Sequence, residues 1–266
     1  MPPQHDLLEA LFSLENRAAL VTGASGGIGR ALAVGLAGAG AVVGLHGRST
    51  EELAATLRLV EAVGGQGHVL PAELTDLDAC RELVARAASA MGRLDILVNC
   101  AGMNRRKPIA DVAADDFETI VKVNLRAPYF LSQAAHPIMR RQGGGRIIHV
   151  ASLTSAMALG TTSVYGMTKA ALAQLAKTQA VEWARDNIQV NALAPGFMVT
   201  PLTERSLWGD ARKRAWLLAR IPAGRPGRPE ELVATALLLA GPGSAYLSGQ
   251  MIAVDGGVLA GGSWED

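Results

Sequence analysis

Ala18-Ala19-Leu20-Val21-Thr22-Gly23-Ala24-Ser25-Gly26-Gly27-Ile28-Gly29 is the stretch that decides the fold. A short aliphatic run ends in a glycine-rich turn, and the turn opens an Ala/Leu-rich segment of helical period from Ile28 to Ala39. Glycine is needed where backbone must approach a pyrophosphate closely, and the free N–H groups and dipole of the helix start then favour the anion. Gly23, Ser25, Gly27, Ile28 and Gly29 are therefore candidate cofactor-binding residues. The spacing is Gly-x3-Gly-x-Gly instead of the commoner Gly-x-Gly-x-x-Gly, so an ordinary tight strand-to-helix turn is the competing reading. Its position at the first strand-to-helix junction weighs against that reading.

Working outward, the same alternation repeats: strands at Ala41 to His46, His68 to Pro71, Leu94 to Asn99, Arg146 to Ala151 and Ile188 to Ala192. Helical segments lie between them at Glu51 to Val63, Ala79 to Met91, Phe117 to Arg141 and Val164 to Arg185. Strand-helix alternation with right-handed crossovers builds a doubly wound parallel sheet with helices on both faces. The expectation is a single α/β domain over residues 1–266, a Rossmann fold of about seven strands that binds ligands beyond the strands' carboxyl ends. The stretch from Gly196 to Arg228 breaks the pattern with Pro201, Pro222 and Pro226 around a short helical piece, and reads as a substrate lid or a subunit-boundary helix.

Bulk composition narrows the function. Hydrophobic residues are 49%, charged residues 18% and the net charge is +1, which points away from a disordered chain and from an electrostatic nucleic-acid binder. Cys80 and Cys100 are too few for a disulfide framework and lack metal-ligand spacing, so no metal site and a reducing cytoplasm are expected. No apolar run reaches the roughly 18 residues of a membrane span.

At the end of the second strand stands His46-Gly47-Arg48-Ser49, where an acid would bind the adenosine ribose of NAD. Arg48 and Ser49 instead suit the 2′-phosphate of NADP, since a guanidinium grips phosphate through two hydrogen bonds. NADP is expected ahead of NAD, the alternative being that Arg48 merely caps a solvent-facing loop. Farther on, Tyr165-Gly166-Met167-Thr168-Lys169 puts a phenol and an ammonium on one helix face at i, i+4. A nearby cation makes a tyrosine, with its ordinary pKa of about 10, a usable acid/base near neutrality. Ser152, just past the strand Arg146 to Ala151, can hold the substrate oxygen on which charge develops.

Taken together, Thr22-Gly23 to Ile28-Gly29, Asn99-Cys100-Ala101-Gly102, Val123-Asn124, Ser152, Tyr165 with Lys169, and Pro195-Gly196 resemble the short-chain dehydrogenase/reductase family over almost the whole length. The resemblance implies that Tyr165 is the acid/base, Ser152 orients the carbonyl, Lys169 binds nicotinamide ribose and lowers the tyrosine pKa, and Asn124 holds a water that feeds Lys169. It also implies that Asn99, Ala101 and Gly102 lie against the cofactor, that Pro195, Gly196 and Thr200 border the nicotinamide, and that the enzyme is a homotetramer joined in part by its last strand, Gln250 to Gly257. Cys100 replaces the family's usual Asn, and Glu73 its usual Asp.

The loop Met103-Asn104-Arg105-Arg106-Lys107-Pro108 carries three cations beside the expected mouth of the site. Arg105 and Arg106 are candidate contacts for an anionic substrate, with a solvated charge run as the plainer alternative. Within the family, Leu11 to Leu14, this loop and Asn187 to Asn191 look most like gluconate 5-dehydrogenases and deoxygluconate dehydrogenases, which implies a sugar acid. The 3-oxoacyl-acyl-carrier-protein reductases are similar nearly as well. A non-catalytic NADP-sensing or scaffold protein is the reading of another class, and the intact Asn124, Ser152, Tyr165 and Lys169 argue against it.

Overall fold

The computed structural model describes residues 4–262. After an N-terminal helix, α1 (Gln4–Phe12), the chain runs β1 (Ala18–Thr22), α2 (Gly27–Gly38), β2 (Val42–Gly47), α3 (Thr50–Ala62), β3 (Gln66–Pro71), α4 (Leu77–Met91) and β4 (Ile96–Asn99). The second half follows with α5 (Ala114–Val121), α6 (Ala127–Arg141), β5 (Gly145–Val150), α7 (Ser163–Trp183) and β6 (Ile188–Pro195). It closes with α8 (Ala211–Leu218), α9 (Val233–Ala240) and β7 (Met251–Val254).

The seven strands are all parallel and ordered β3-β2-β1-β4-β5-β6-β7. Every residue of β1, β4 and β6 is buried, as strands covered on both faces must be, which explains the aliphatic runs Ala18 to Val21 and Ile96 to Val98. One face packs against α2 and α9 through Leu32, Leu36, Val43 and Leu239. The other packs against α4, α6 and α7 through Leu83, Leu131, Ile147 and Ala176. The strand order reverses direction between β1 and β4, and the crevice beyond their carboxyl ends is where such a sheet receives its ligand.

Local chemistry sets the helix limits. Asp76 caps α4 by accepting from Asp78 N and Ala79 N at 2.8 and 3.2 Å, and Gly92, left-handed at φ 73°, ends it. Ser49 Oγ accepts from Glu52 N at 3.3 Å and starts α3.

Two elements differ from the sequence reading. The segment Phe117 to Arg141, read as one helix, is two: a π-helical turn at Lys122–Arg126 separates α5 from α6. The backbone stays helical through all five residues of such a turn, so the segment still reads as one helix. The last strand is Met251–Val254, with Asp255 to Gly257 already a turn, where Asp255 Oδ1 and Oδ2 accept from Gly257 N and Leu259 N.

Candidate active site

The glycine-rich turn lies against the segment after β4. A Cβ on Gly23 (φ 73°) would stand 2.9 Å from Ala101 Cα, and one on Gly29 would stand 2.2 Å from Gly23 O, so neither position admits a side chain. Thr22 fastens the two segments: its Oγ1 donates to Val98 O at 3.2 Å and accepts from Cys100 N and Ala101 N at 3.0 and 3.1 Å. His46 holds the turn from the other side. Its Nε2–H donates to Ala72 O at 3.2 Å, leaving Nδ1 to accept from Gly23 N at 3.4 Å. Burial pushes this imidazole down to about 4, so it is neutral and contributes no cation to a phosphate.

No side chain caps the start of α2, whose N–H groups open toward Gly26 and Gly27. A Cβ on Gly26 would meet nothing within 4 Å, while one on Gly27 would meet Thr200 Cβ at 3.4 Å. Open backbone N–H groups at a helix start, with Thr200 arching over them, fit a bound pyrophosphate. Arg48 and Ser49 follow at the end of β2, and Arg48 is exposed with no carboxylate within ion-pair distance among the described residues. Pro195 ends β6, and Gly196 N donates to Val254 O at 2.9 Å.

On the other side of the crevice, Ser152, Tyr165 and Lys169 meet. Ser152 leaves β5 in an extended conformation, and its Oγ accepts from Thr154 N at 3.2 Å while remaining close enough to hydrogen-bond the Tyr165 phenol. Burial raises the Tyr165 pKa, and the Ser152 hydroxyl and the Arg106 charge oppose that rise. Lys169 is buried at 3% exposure, with Nζ donating to Val150 O at 2.6 Å and lying 5.7 Å from the Tyr165 ring centre. Desolvation brings its pKa down to about 8. The i, i+4 spacing thus does place phenol and ammonium on one face, while the groups that oppose the rise in the phenol's pKa are Ser152 and Arg106.

Asn124 sits inside the π-turn, fully buried. Its Oδ1 accepts from Met103 N and its Nδ2 donates to Met103 O, both at 2.8 Å, with Thr168 Oγ1 at 3.3 Å. The side chain is thereby spent as a clip on the loop after Gly102. A Cβ on Gly102 would lie 3.5 Å from both Asn124 Oδ1 and Lys169 Nζ, so Gly102, Asn124 and Lys169 share one small space. Asn99 points away from it: Nδ2 reaches Ser132 Oγ and His149 Nδ1, both at 3.2 Å, and so supports the sheet instead of the crevice.

The three loop cations divide. Arg105 is committed to Asp115 and Asp116 at 3.0 and 2.9 Å, and Lys107 to Asp116 at 2.5 Å, a pairing that holds the Asp116 carboxyl down at about 2. Arg106 has no carboxylate partner among the described residues. Its guanidinium is partly desolvated and interacts with the Tyr165 phenol. Thr22, His46, Met103 and Thr168 also build the site. Sequence reasoning assigned these four no role of their own, because the contacts that define their roles are to backbone groups or to distant segments.

A doubly wound sheet with a glycine-rich turn at its switch point, and a serine, tyrosine and lysine meeting at the same rim, defines an oxidoreductase that works on CH–OH groups with a nicotinamide nucleotide. A family model described as Enoyl-(Acyl carrier protein) reductase matches residues 23–259, and the chain belongs to the short-chain dehydrogenase/reductase family. The gluconate 5-dehydrogenase of Gluconobacter oxydans (strain 621H) is 41% identical over 248 residues, 93% of this chain and 96% of that protein. The structure of a gluconate 5-dehydrogenase from Burkholderia cenocepacia J2315 in complex with NADP and tartrate superposes with a TM-score of 0.91 at 36% identity, covering 96% of this chain and 100% of the other. A 3-oxoacyl (acyl-carrier-protein) reductase from Agrobacterium tumefaciens C58 with NADP bound gives a TM-score of 0.91 at 35% identity, over 96% and 99%.

Proposed function

We propose that the protein is an NADP(H)-dependent dehydrogenase that interconverts a secondary alcohol and a ketone on a sugar acid of the gluconate type. The observation that carries this reading is Arg106, a cation with no carboxylate partner among the described residues, whose charge acts on the same phenol that handles the proton. A substrate whose reacting carbonyl is held at Tyr165 would then have its carboxylate within reach of the guanidinium.

The nicotinamide nucleotide, when bound, would supply the hydride as NADPH for reduction and accept it as NADP+ in oxidation. Gly23, Ser25, Gly27, Ile28 and Gly29 would hold the pyrophosphate, Arg48 and Ser49 the 2′-phosphate, and Ala101, Gly102, Pro195, Gly196 and Thr200 the walls beside the nicotinamide. In the reducing direction, Tyr165 Oη gives its proton to the carbonyl oxygen as the C–H bond forms, and in oxidation it takes that proton back. Ser152 Oγ donates to the same oxygen and stabilises its growing negative charge. Lys169 spends one N–H on Val150 O, and the remaining two are free for ribose hydroxyls while the ammonium stabilises phenolate. Asn124 positions the wall after Gly102 through Met103.

The stretch from Gly196 to Arg228 serves as the lid. Its ends are pinned together where Val199 N donates to Gly227 O at 2.9 Å and Gly227 N to Phe197 O at 3.1 Å. Between them Leu207, Trp208, Leu217 and Ile221 form a small core of their own. We further propose a homotetramer in the cytoplasm. Apolar side chains left outside on α5 to α7, among them Phe117 at 39% and Val181 at 80% exposure, support the assembly, and two free thiols fit a reducing compartment.

A second reading, reduction of a 3-oxoacyl thioester on an acyl carrier, draws on the similarity to the Agrobacterium reductase. The test is absorbance at 340 nm with NADP(H) and NAD(H) against gluconate and 5-ketogluconate, neutral polyols, and acetoacetyl thioesters. Turnover of the sugar acids, with a loss of about 10- to 100-fold in kcat/KM in Arg106→Leu and little change on a neutral polyol, is the expected result. Thioester reduction without sugar-acid turnover would overturn it in favour of the second reading.

A further inference from the structure

At the amino ends of β4 and β5, on the side of the sheet opposite the crevice, lies a polar cavity of about 270 Å³ whose charged lining is Arg17, Asp95 and Arg146. Asp95 brings no free negative charge to it. Its Oδ1 accepts from Arg17 Nη1 and Arg93 Nη2 at 3.1 and 2.7 Å, and its Oδ2 from Ala18 N and Arg93 Nε at 2.9 and 2.6 Å. Two guanidinium groups, those of Arg17 and Arg93, and one backbone N–H therefore take up the hydrogen-bonding capacity of this single carboxylate.

Arg146 is the group left over. Among the described residues it makes neutral contacts only, donating from Nη1 to Gly145 O at 3.1 Å and to Gln189 Oε1, and its buried Nε has no partner among them. Desolvation and the nearby charge of Arg17 both act against its cationic form. A half-buried cation without a counter-charge is costly, and the cost falls when an anion enters beside it. The walls are also fixed in advance. Gln142 is locked by a pair of 3.1 Å hydrogen bonds to the backbone of Leu94, and Asn187 Nδ2 donates to Gly143 O at 2.9 Å.

We propose that this cavity is a binding site for a small oxyanion of the phosphate class, held between Arg17 and Arg146 and separate from the cofactor crevice. The test is thermal unfolding of the full chain in saturating NADP, which occupies the other phosphate-binding place, as inorganic phosphate replaces chloride at constant ionic strength. A saturable rise of about 3 °C at ten times the dissociation constant is expected, and Arg146→Gln and Arg17→Gln should each lose most of it. Arg17 is half-exposed, so its variant keeps the test decisive if Arg146→Gln fails to fold. No saturable rise, a rise seen only when NADP is omitted, or an undiminished rise in the Arg17 variant would overturn the proposal.

Discussion

Replacing Lys169 with Met should raise the stability of the protein while stopping its chemistry. The ammonium is buried with a single hydrogen bond to Val150 O, and its pKa falls from 10.5 to about 8 in the fold. A shift of that size corresponds to roughly 3 kcal/mol of destabilisation at neutral pH, at about 1.4 kcal/mol per pKa unit. The unfolded chain binds the proton more tightly than the folded one between the two pKa values. Wild-type stability should therefore rise as pH increases from about 8 toward 10.5, whereas the Met variant lacks this dependence. After allowing for the lost hydrogen bond, the variant should melt about 4 to 8 °C higher at pH 7. The gap should close as the pH approaches 10.5. Melting temperatures of both proteins without cofactor, across pH 7 to 10.5, measure it. A variant no more stable than wild type at pH 7, or a gap that stays constant through that window, would refute the reasoning.

Acid should act through two other buried groups. His46 and His149 are both held down at about 4, so the stability they provide is full above pH 6.5 and is lost as pH falls toward 4, by about 3 kcal/mol each, which urea titrations at stepped pH will show. Gly29→Ala would drive a Cβ to 2.2 Å from Gly23 O, so it should cost about 1–3 kcal/mol in stability and weaken cofactor binding at least tenfold by fluorescence titration. Tyr165→Phe should keep cofactor affinity while kcat falls by about 10²- to 10⁴-fold; wild-type turnover would remove the phenol from the mechanism. Arg48→Asp should weaken NADPH at least tenfold more than NADH, and equal losses for both would discredit Arg48 as the phosphate reader.

The parallel sheet was legible because strands buried on both faces are rich in aliphatic residues, as Ala18 to Val21 in β1 and Ile96 to Val98 in β4 are. The Tyr165–Lys169 pairing was legible for a similar reason, since helix geometry fixes what i and i+4 share. What the sequence could not show depends on contacts between distant segments. A run of Arg105, Arg106 and Lys107 reads as three equal cations until Asp115 and Asp116, about ten residues on, take up two of them. The side chain of Asn124 finds its partner in the backbone of Met103, and backbone groups carry no sequence signature. Lys169 and the phenol are neighbours, yet the charge that counters the rise in the phenol's pKa is that of Arg106, on a distant loop.

The π-turn at Lys122–Arg126 holds one residue of slack. Such a turn takes up one residue more than an α-helical turn for nearly the same rotation, so removing one position from it would let the stretch close into continuous α-helix with Leu131, Ala135 and Met139 still beneath the sheet. Asn124 would be re-aimed and lose its line to Met103. A deletion inside the turn should therefore act on the catalytic rim, whereas one within α6 would turn its buried face by about 100°.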